Sequence, residues 1–191
     1  KYRNLSKSRP SDKEQSGVAA GELLGIQVNT GKELGTEVHA LFEKVEWWEE
    51  TEDLSKWLKQ QGTGASMRAM DIFSRAMADP QVMKIFASPA QKTEVWVERS
   101  FAYLKEGKMV QGVFDRVVLN LSESDEIMTA EIIDFKTDRP GKGLGIDQLV
   151  DRYRGQLESY RSALVRLTGL PENKIRMTLL FTSVPQVFSW E

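Results

Sequence analysis

Three segments, "TEVWVERSFAYL", "GKMVQGVFDRVVLNL" and "EIMTAEIIDFKT", succeed one another from Thr93 to Thr137, rich in β-branched and aromatic residues and parted only by the turn-like "KEGK" and "SESDE". Connections that short join antiparallel neighbours, so the block predicts a three-strand meander. The segments after it remove most alternatives. A loop, "GKGLGIDQ", leads into "LVDRYRGQLESYRSALVRLTG", the pattern of one long amphipathic helix ended by Gly169. A further strand, "KIRMTLLFTS", comes next, with "QVFSW" placed to pair with it across Pro185. Strands joined through a helix require a crossover, so the expected fold is α/β: a central mixed sheet flanked by helices, in three layers.

The front of the chain reads differently. Residues 1 to 18, "KYRNLSKSRPSDKEQSGV", are polar and aperiodic, as in a flexible arm or linker. From about 19 to 92 the pattern is helical. Val38, Leu41, Phe42 and Val45 lie at the spacing of one helix face, with Thr36 expected to cap its start. "LSKWLKQ", "SMRAMDIFSRAM" and "DPQVMKIFAS" read as shorter helices, the last capped by Asp79 with Pro80 as its first helical residue. This N-terminal helical layer precedes a core over about 93 to 191, and 191 residues suit one sizeable domain. A chain that opens on Lys1 is expected to be a piece of a longer protein.

Composition sets limits on the chemistry. With no cysteine there can be no disulfide, thiolate zinc site or cysteine-held iron–sulfur cluster, so a metal must be held by oxygens and the single histidine. The lack of cysteine fits a reducing, cytoplasmic setting, and no run of about 18 apolar residues or signal-peptide pattern occurs, so no membrane association is expected. A net charge of −2 argues against a globally basic nucleic-acid binder and leaves room for a local basic patch.

Charged residues inside strands raise the chemical question. In "AEIIDFKTDRP", Asp134 and Lys136 fall on one face of a strand that otherwise reads as core, because strand side chains alternate. Burying such groups costs several kcal/mol unless a partner, metal or reaction compensates. "GVFDRVV" places Asp115 on the adjacent strand, expected on the face of Val113 and Val117. The front helix offers His39 with Glu43 one turn on, and the long helix sets Tyr153, Gln156 and Tyr160 along one stripe. Two aspartates and an imidazole meeting across neighbouring strands can hold a divalent cation, and a lysine beside it can orient or deprotonate water. Each piece also has a plainer reading: a surface ion pair, a hydrogen-bonded core histidine, packed tyrosines, and for Glu98 an ordinary solvent-facing strand residue.

In their order along the chain, "GTEVHALFE", "VERSF", "QGVFDRVV", "IIDFKTD" and "YRGQLESY" closely resemble the RecB-type nuclease domain of the PD-(D/E)XK superfamily, found at the C-terminal end of RecB and AddA helicase–nucleases. The resemblance runs from about residue 30 to 182. It implies a restriction-endonuclease-like core in a single nuclease domain over 19 to 191. It implies His39, Asp115 and Asp134 as ligands of Mg2+, with Mn2+ as an alternative, and Lys136 as the catalytic lysine. Gln156 and Tyr160 match the family's helix motif, which supports the active site and the DNA strand, and Glu98 matches a strand acid of supporting role. The expected partners are DNA, as a single strand or duplex end, a helicase region in the same parent chain, and a second subunit. The expected activity is exonuclease-like hydrolysis of DNA in recombination and repair. With no cysteine, the chain resembles the branch without an iron–sulfur cluster. No "GxxxxGK[ST]" loop occurs, so the ATP-driven motor is not in this sequence.

Arg139, Lys142, Arg152 and Arg154 flank the expected site and are candidate phosphate contacts, with a solvated charged loop as the alternative. A competing reading is a nuclease-like module that holds DNA or a partner without cutting. A glycosidase with paired carboxylates would leave Lys136 without a role.

Overall fold

The structure, a computed structural model, describes residues 7–8, 27–49, 52–141 and 144–191. A two-residue strand β1 (Lys7–Ser8) precedes four helices, α1 (Gln27–Phe42), α2 (Leu54–Gln61), α3 (Met67–Met77) and α4 (Pro80–Phe86). Then come β2 (Thr93–Lys105), β3 (Lys108–Leu121), β4 (Ile127–Lys136), the long helix α5 (Ile146–Thr168), β5 (Ile175–Phe181) and β6 (Gln186–Trp190). The fold is α/β, a mixed sheet between two helical layers, compatible with a restriction-endonuclease-like core. Its main order is β2-β3-β4-β5-β6, and β1 pairs in parallel with Met109 and Val110 on β3. The β2-β3-β4 meander is antiparallel, β4 and β5 run parallel across the α5 crossover, and β6 returns antiparallel to β5.

Local chemistry explains most element ends. Asp79 accepts from the backbone N–H groups of Gln81 and Val82, with Pro80 at the start of α4. Asp53 and Ser66 cap α2 and α3 in the same way, and α5 ends at Gly169 in the left-handed conformation. The expected cap at Thr36 is a correction. The helix already runs from Gln27, so Thr36 is interior, and its hydroxyl donates back to the Lys32 carbonyl at 3.0 Å. Of the polar N-terminal arm, only Lys7 and Ser8 are among the described residues.

Each sheet face has its own core. Under α1, α3 and α4, the rings of Phe42, Phe73, Phe86 and Phe135 pack together, with Phe42 4.8 Å from Phe73 and 5.0 Å from Phe135. Trp48 belongs to this core, settling one member of the "WW" pair as buried. Under α5, Phe114, Val117, Leu119, Ile132, Leu157, Leu179 and Phe181 form the second core. Tyr160 stands edge-on to Phe101 and Phe114 there. Gly112 is required at that contact, since a Cβ on it would come within 2.6 Å of the Phe101 ring and 3.2 Å of Tyr160.

Candidate active site

The polar groups gather where β3 and β4 stop pairing. Their ladder ends at Arg116 opposite Ile133. The next backbone donor, Phe135 N–H, is taken at 2.7 Å by the Asp115 carboxylate, which thus stands in for a strand carbonyl. Alternation slips at this point. Phe114 meets Tyr160 on the α5 side and Val117 lies in the α5 core, while Arg116 between them turns to the other layer. The expectation that Asp115 shares the face of Val117 is therefore corrected: its side chain lies at the opening between strands, toward α1. Opposite it, Glu98 interrupts β2 with φ 46°, a conformation an acidic residue rarely holds, while pairing continues on both sides at Val97 and Arg99.

Helix α1 brings His39 to this opening. Its Nδ1 lies 3.7 Å from Asp115 Oδ2, and its ring stands edge-on to Phe135. Ligand atoms of His39, Glu98 and Asp115 all lie within 4.8 Å of one another. Asp134 is buried at 1 % exposure on the α5 side of β4, with Lys136 Nζ 2.9 Å from its Oδ2. That oxygen accepts no well-aligned hydrogen bond, although the ammonium lies beside it. The Lys136 head also lies 4.5 Å from the centre of the Tyr153 ring, whose hydroxyl donates to Asp138 at 2.9 Å. Residues 134, 136 and 138 thus cooperate along one face of the chain.

The electrostatics describe a site short of positive charge. Burial, then the neighbouring Asp134 carboxylate, pushes Asp115 up to about 8, against the pull of Lys136 and the Phe135 N–H. Glu98 is raised to about 7 by lost hydration, then by Asp115 and Glu43, although its side chain stays exposed. Burial also lowers His39, keeping the imidazole neutral and able to act as a ligand. Two acids held back from ionising and a neutral imidazole form a donor set that fits a hard divalent cation, while Asp134, paired with Lys136, lies outside that group of three.

The expected helix stripe is in place. Tyr153, Gln156 and Tyr160 are all buried on the sheet side of α5, and Gln156 donates to the Tyr160 hydroxyl at 2.9 Å. Gln156 Oε1 is buried without a hydrogen bond among the described residues. Arg139, just past β4, and Arg152 and Arg154 on α5 are exposed. Arg154 lies 3.8 Å from Asp151 and over the Trp190 ring at 5.0 Å, on the β6 side of the helix. Lys142 lies outside the described residues.

Sequence reasoning named Glu43 beside His39 without giving it a role, and it passed over Arg116. Glu43 hydrogen-bonds Glu98 and adds negative charge to the cluster; its place one turn after His39 was the available signal. Arg116 is fully buried beside Asp115, and nothing in "FDRVV" marks it apart from a surface arginine.

No family model matches the chain. It is 28% identical over 166 residues, 83% of its length, to an ATP-dependent helicase/nuclease subunit of Streptococcus pneumoniae, and equally to the exonuclease/helicase subunit RexA of that species. The corresponding ATP-dependent helicase/nuclease subunit of Limosilactobacillus fermentum is 34% identical over 82 residues, 41% of the chain. The chain spans only 13% and 6% of the lengths of these relatives. It is thus distantly similar to one stretch of helicase/nuclease subunits. A solved structure, "Crystal structure of SSO0001", aligns with 81% of this chain and 64% of its own at 16% identity and a TM-score of 0.32, too loose a likeness to carry an argument. Among the described residues, no helix is long and apolar enough to cross a membrane.

Proposed function

We propose that this chain is a Mg2+-dependent deoxyribonuclease domain, exonuclease-like, working as the nuclease part of a helicase–nuclease of the RecB/AddA type in DNA recombination and repair. One observation carries the reading: His39, Glu98 and Asp115 converge within 4.8 Å beside a buried Asp134–Lys136 pair at 2.9 Å. The distant similarity to helicase/nuclease subunits over 83% of the chain supports the same reading.

His39, Asp115 and Asp134 would hold the cation, with Glu98 as a further oxygen. When bound, Mg2+ or Mn2+ supplies Lewis-acid polarisation of a phosphate and a lowered pKa for water. The chain's own residues do the rest. Asp115, raised to about 8 without a cation, ionises when positive charge replaces its lost hydration. Lys136 puts an ammonium donor beside the cluster, where it offsets negative charge gathering on the phosphate and orients the attacking water. The Tyr153 ring, fixed through its hydroxyl to Asp138, keeps that ammonium in place. Gln156 and Tyr160 brace the helix against β2 and β3. Arg139, Lys142, Arg152 and Arg154 contact phosphates, which gives binding without sequence readout.

The test is incubation with single- and double-stranded DNA in Mg2+ or in chelator. We expect cutting with Mg2+, none with chelator, and loss of cutting in folded Asp134→Ala. Cutting at the native rate in that variant would end the catalytic assignment. Metal-independent DNA binding without any cutting would favour the binding-module reading.

A further inference from the structure

Arg116 presents an unusual burial. It is 1 % exposed and heads the largest fully buried side chains, yet among the described residues it makes no direct salt bridge, the Glu46 and Glu131 carboxylates acting on it from farther off. Its Nη1 donates to the Val45 carbonyl at 2.8 Å and its Nη2 to the Glu46 carbonyl, while the guanidinium lies 5.0 Å from both the Trp47 and Phe86 rings. Its Nε has no hydrogen-bond partner. Burial lowers its pKa to about 10, so it remains a cation at neutral pH. A buried cation whose direct hydrogen-bond partners are neutral carbonyls is costly, since the Glu46 and Glu131 charges recover only part of its lost hydration. The cost of burying it leaves the choice of arginine to be explained by its contacts.

What it touches explains that choice. Val45 and Glu46 directly follow α1, which carries His39 and Glu43 on its last turn and just beyond. Residue 115, next along β3, meets His39 through its carboxylate. Two consecutive residues of β3 thus grip the end of α1 at two points: Asp115 at the imidazole and Arg116 at the carbonyls beyond the helix. A guanidinium suits this because its rigid fork binds two acceptors in one plane while its faces lie against rings. Arg116 faces the helical layer by ordinary alternation, on the side of Val118, and the slip at Asp115 turns the neighbouring carboxylate toward α1 as well, so both residues reach the helix end.

We infer that Arg116 is a positioning residue, which fastens the end of α1 to β3 and so holds His39 within ligand distance of Asp115 and Glu98. This rests on the reading of the cluster as a metal site. Partners that orient a metal ligand typically change affinity by about 10–100-fold when removed.

The experiment compares wild type, Arg116→Met, Arg116→Lys and, as a packing control in the same layer, Ile72→Val. Three quantities are measured: Mn2+ affinity by calorimetry, thermal midpoint, and the ring signals of His39 in metal-free protein. His39 is the single histidine, so its imidazole signals need no assignment. The expected result is that Arg116→Met folds with a midpoint lowered by the Val45 and Glu46 carbonyls it leaves unpaired, binds Mn2+ about 10-fold or more weakly, and shifts or broadens the His39 signals. Arg116→Lys should lose less, and Ile72→Val should move the midpoint alone. Folded Arg116→Met with native affinity and native His39 signals would overturn the inference; if that variant does not fold, Arg116→Lys with both native values would do so. Wild type that binds no Mn2+ would remove the metal-site reading and this inference together, whereas native binding in the variants removes the inference alone.

Discussion

The sheet face under α1–α4 buries a stack of rings, Phe42, Phe73, Phe86 and Phe135, joined by Trp48 and Trp57. The face under α5 instead buries Tyr153, Gln156, Tyr160 and Asp134 among its apolar residues, and among the described residues Gln156 Oε1 has no hydrogen bond while Asp134 Oδ2 has only the Lys136 ammonium beside it. Apart from the buried Arg116, the first pattern is what close packing favours; the second gives up stability to place polar atoms. The comparison locates chemistry on the α5 side and along the seam between layers, where α1 lends His39 and Glu43.

Substitutions on the two faces should therefore fail in different ways. Lys136→Ala, assayed with saturating Mg2+ so that the cation compensates the buried carboxylates, should cut DNA about 100-fold or more slowly while its circular dichroism stays native. Phe42→Ala, on the other face, should lose about 3–5 kcal/mol in denaturant unfolding, yet its folded fraction should keep the native cleavage rate. If Phe42→Ala lost catalysis and Lys136→Ala lost only stability, the division between faces would be wrong.

A finer contrast uses Tyr153. Replacing it with Leu removes the ring face beneath Lys136 and should slow cleavage by about tenfold, while Tyr153→Phe, which keeps the ring and drops only the bond to Asp138, should recover much of the rate. Equal rates in both variants would place the tyrosine's role in packing.

Asp115 sets a pH test of known sign. Its folded pKa of about 8 exceeds the ordinary value of 3.8, so the folded state holds this proton more tightly than the unfolded chain. That stabilisation is complete below the ordinary value and is lost as pH rises through about 8. Asp115→Asn, which cannot ionise, should match metal-free wild type near the low end of this window and melt higher than it at the upper end. Saturating Mg2+ should raise wild type and leave the variant where it was. The smallest effect is expected at Gln156→Leu, where losing the bond to the Tyr160 hydroxyl offsets the removal of an unpartnered amide oxygen and keeps stability within about 1 kcal/mol of native, with slower cleavage.

Much of this was legible in the sequence, for reasons visible in particular residues. The meander and α5 follow from period-two and helical spacing, which are local, and Asp134 with Lys136 stood out because two charges shared one face of a core strand. The start of α1 was not legible, since Thr36 read as its cap while the helix runs on through Gly31 and Gly35. Gly35 is used for close approach, since a Cβ there would lie 3.2 Å from Thr137 Oγ1. The turn of Asp115 toward α1, the Glu43–Glu98 contact and the grip of Arg116 on residues some 70 positions earlier depend on tertiary contacts, which leave no periodic trace.

The most direct measurement is an anomalous-scattering map from crystals grown with Mn2+. The account predicts one strong peak in the seam between β3, β4 and α1, bonded at about 2.0–2.3 Å to a His39 nitrogen and to carboxylate oxygens of Asp115 and Asp134. A map without a peak there, or with Mn2+ held only elsewhere, would contradict it.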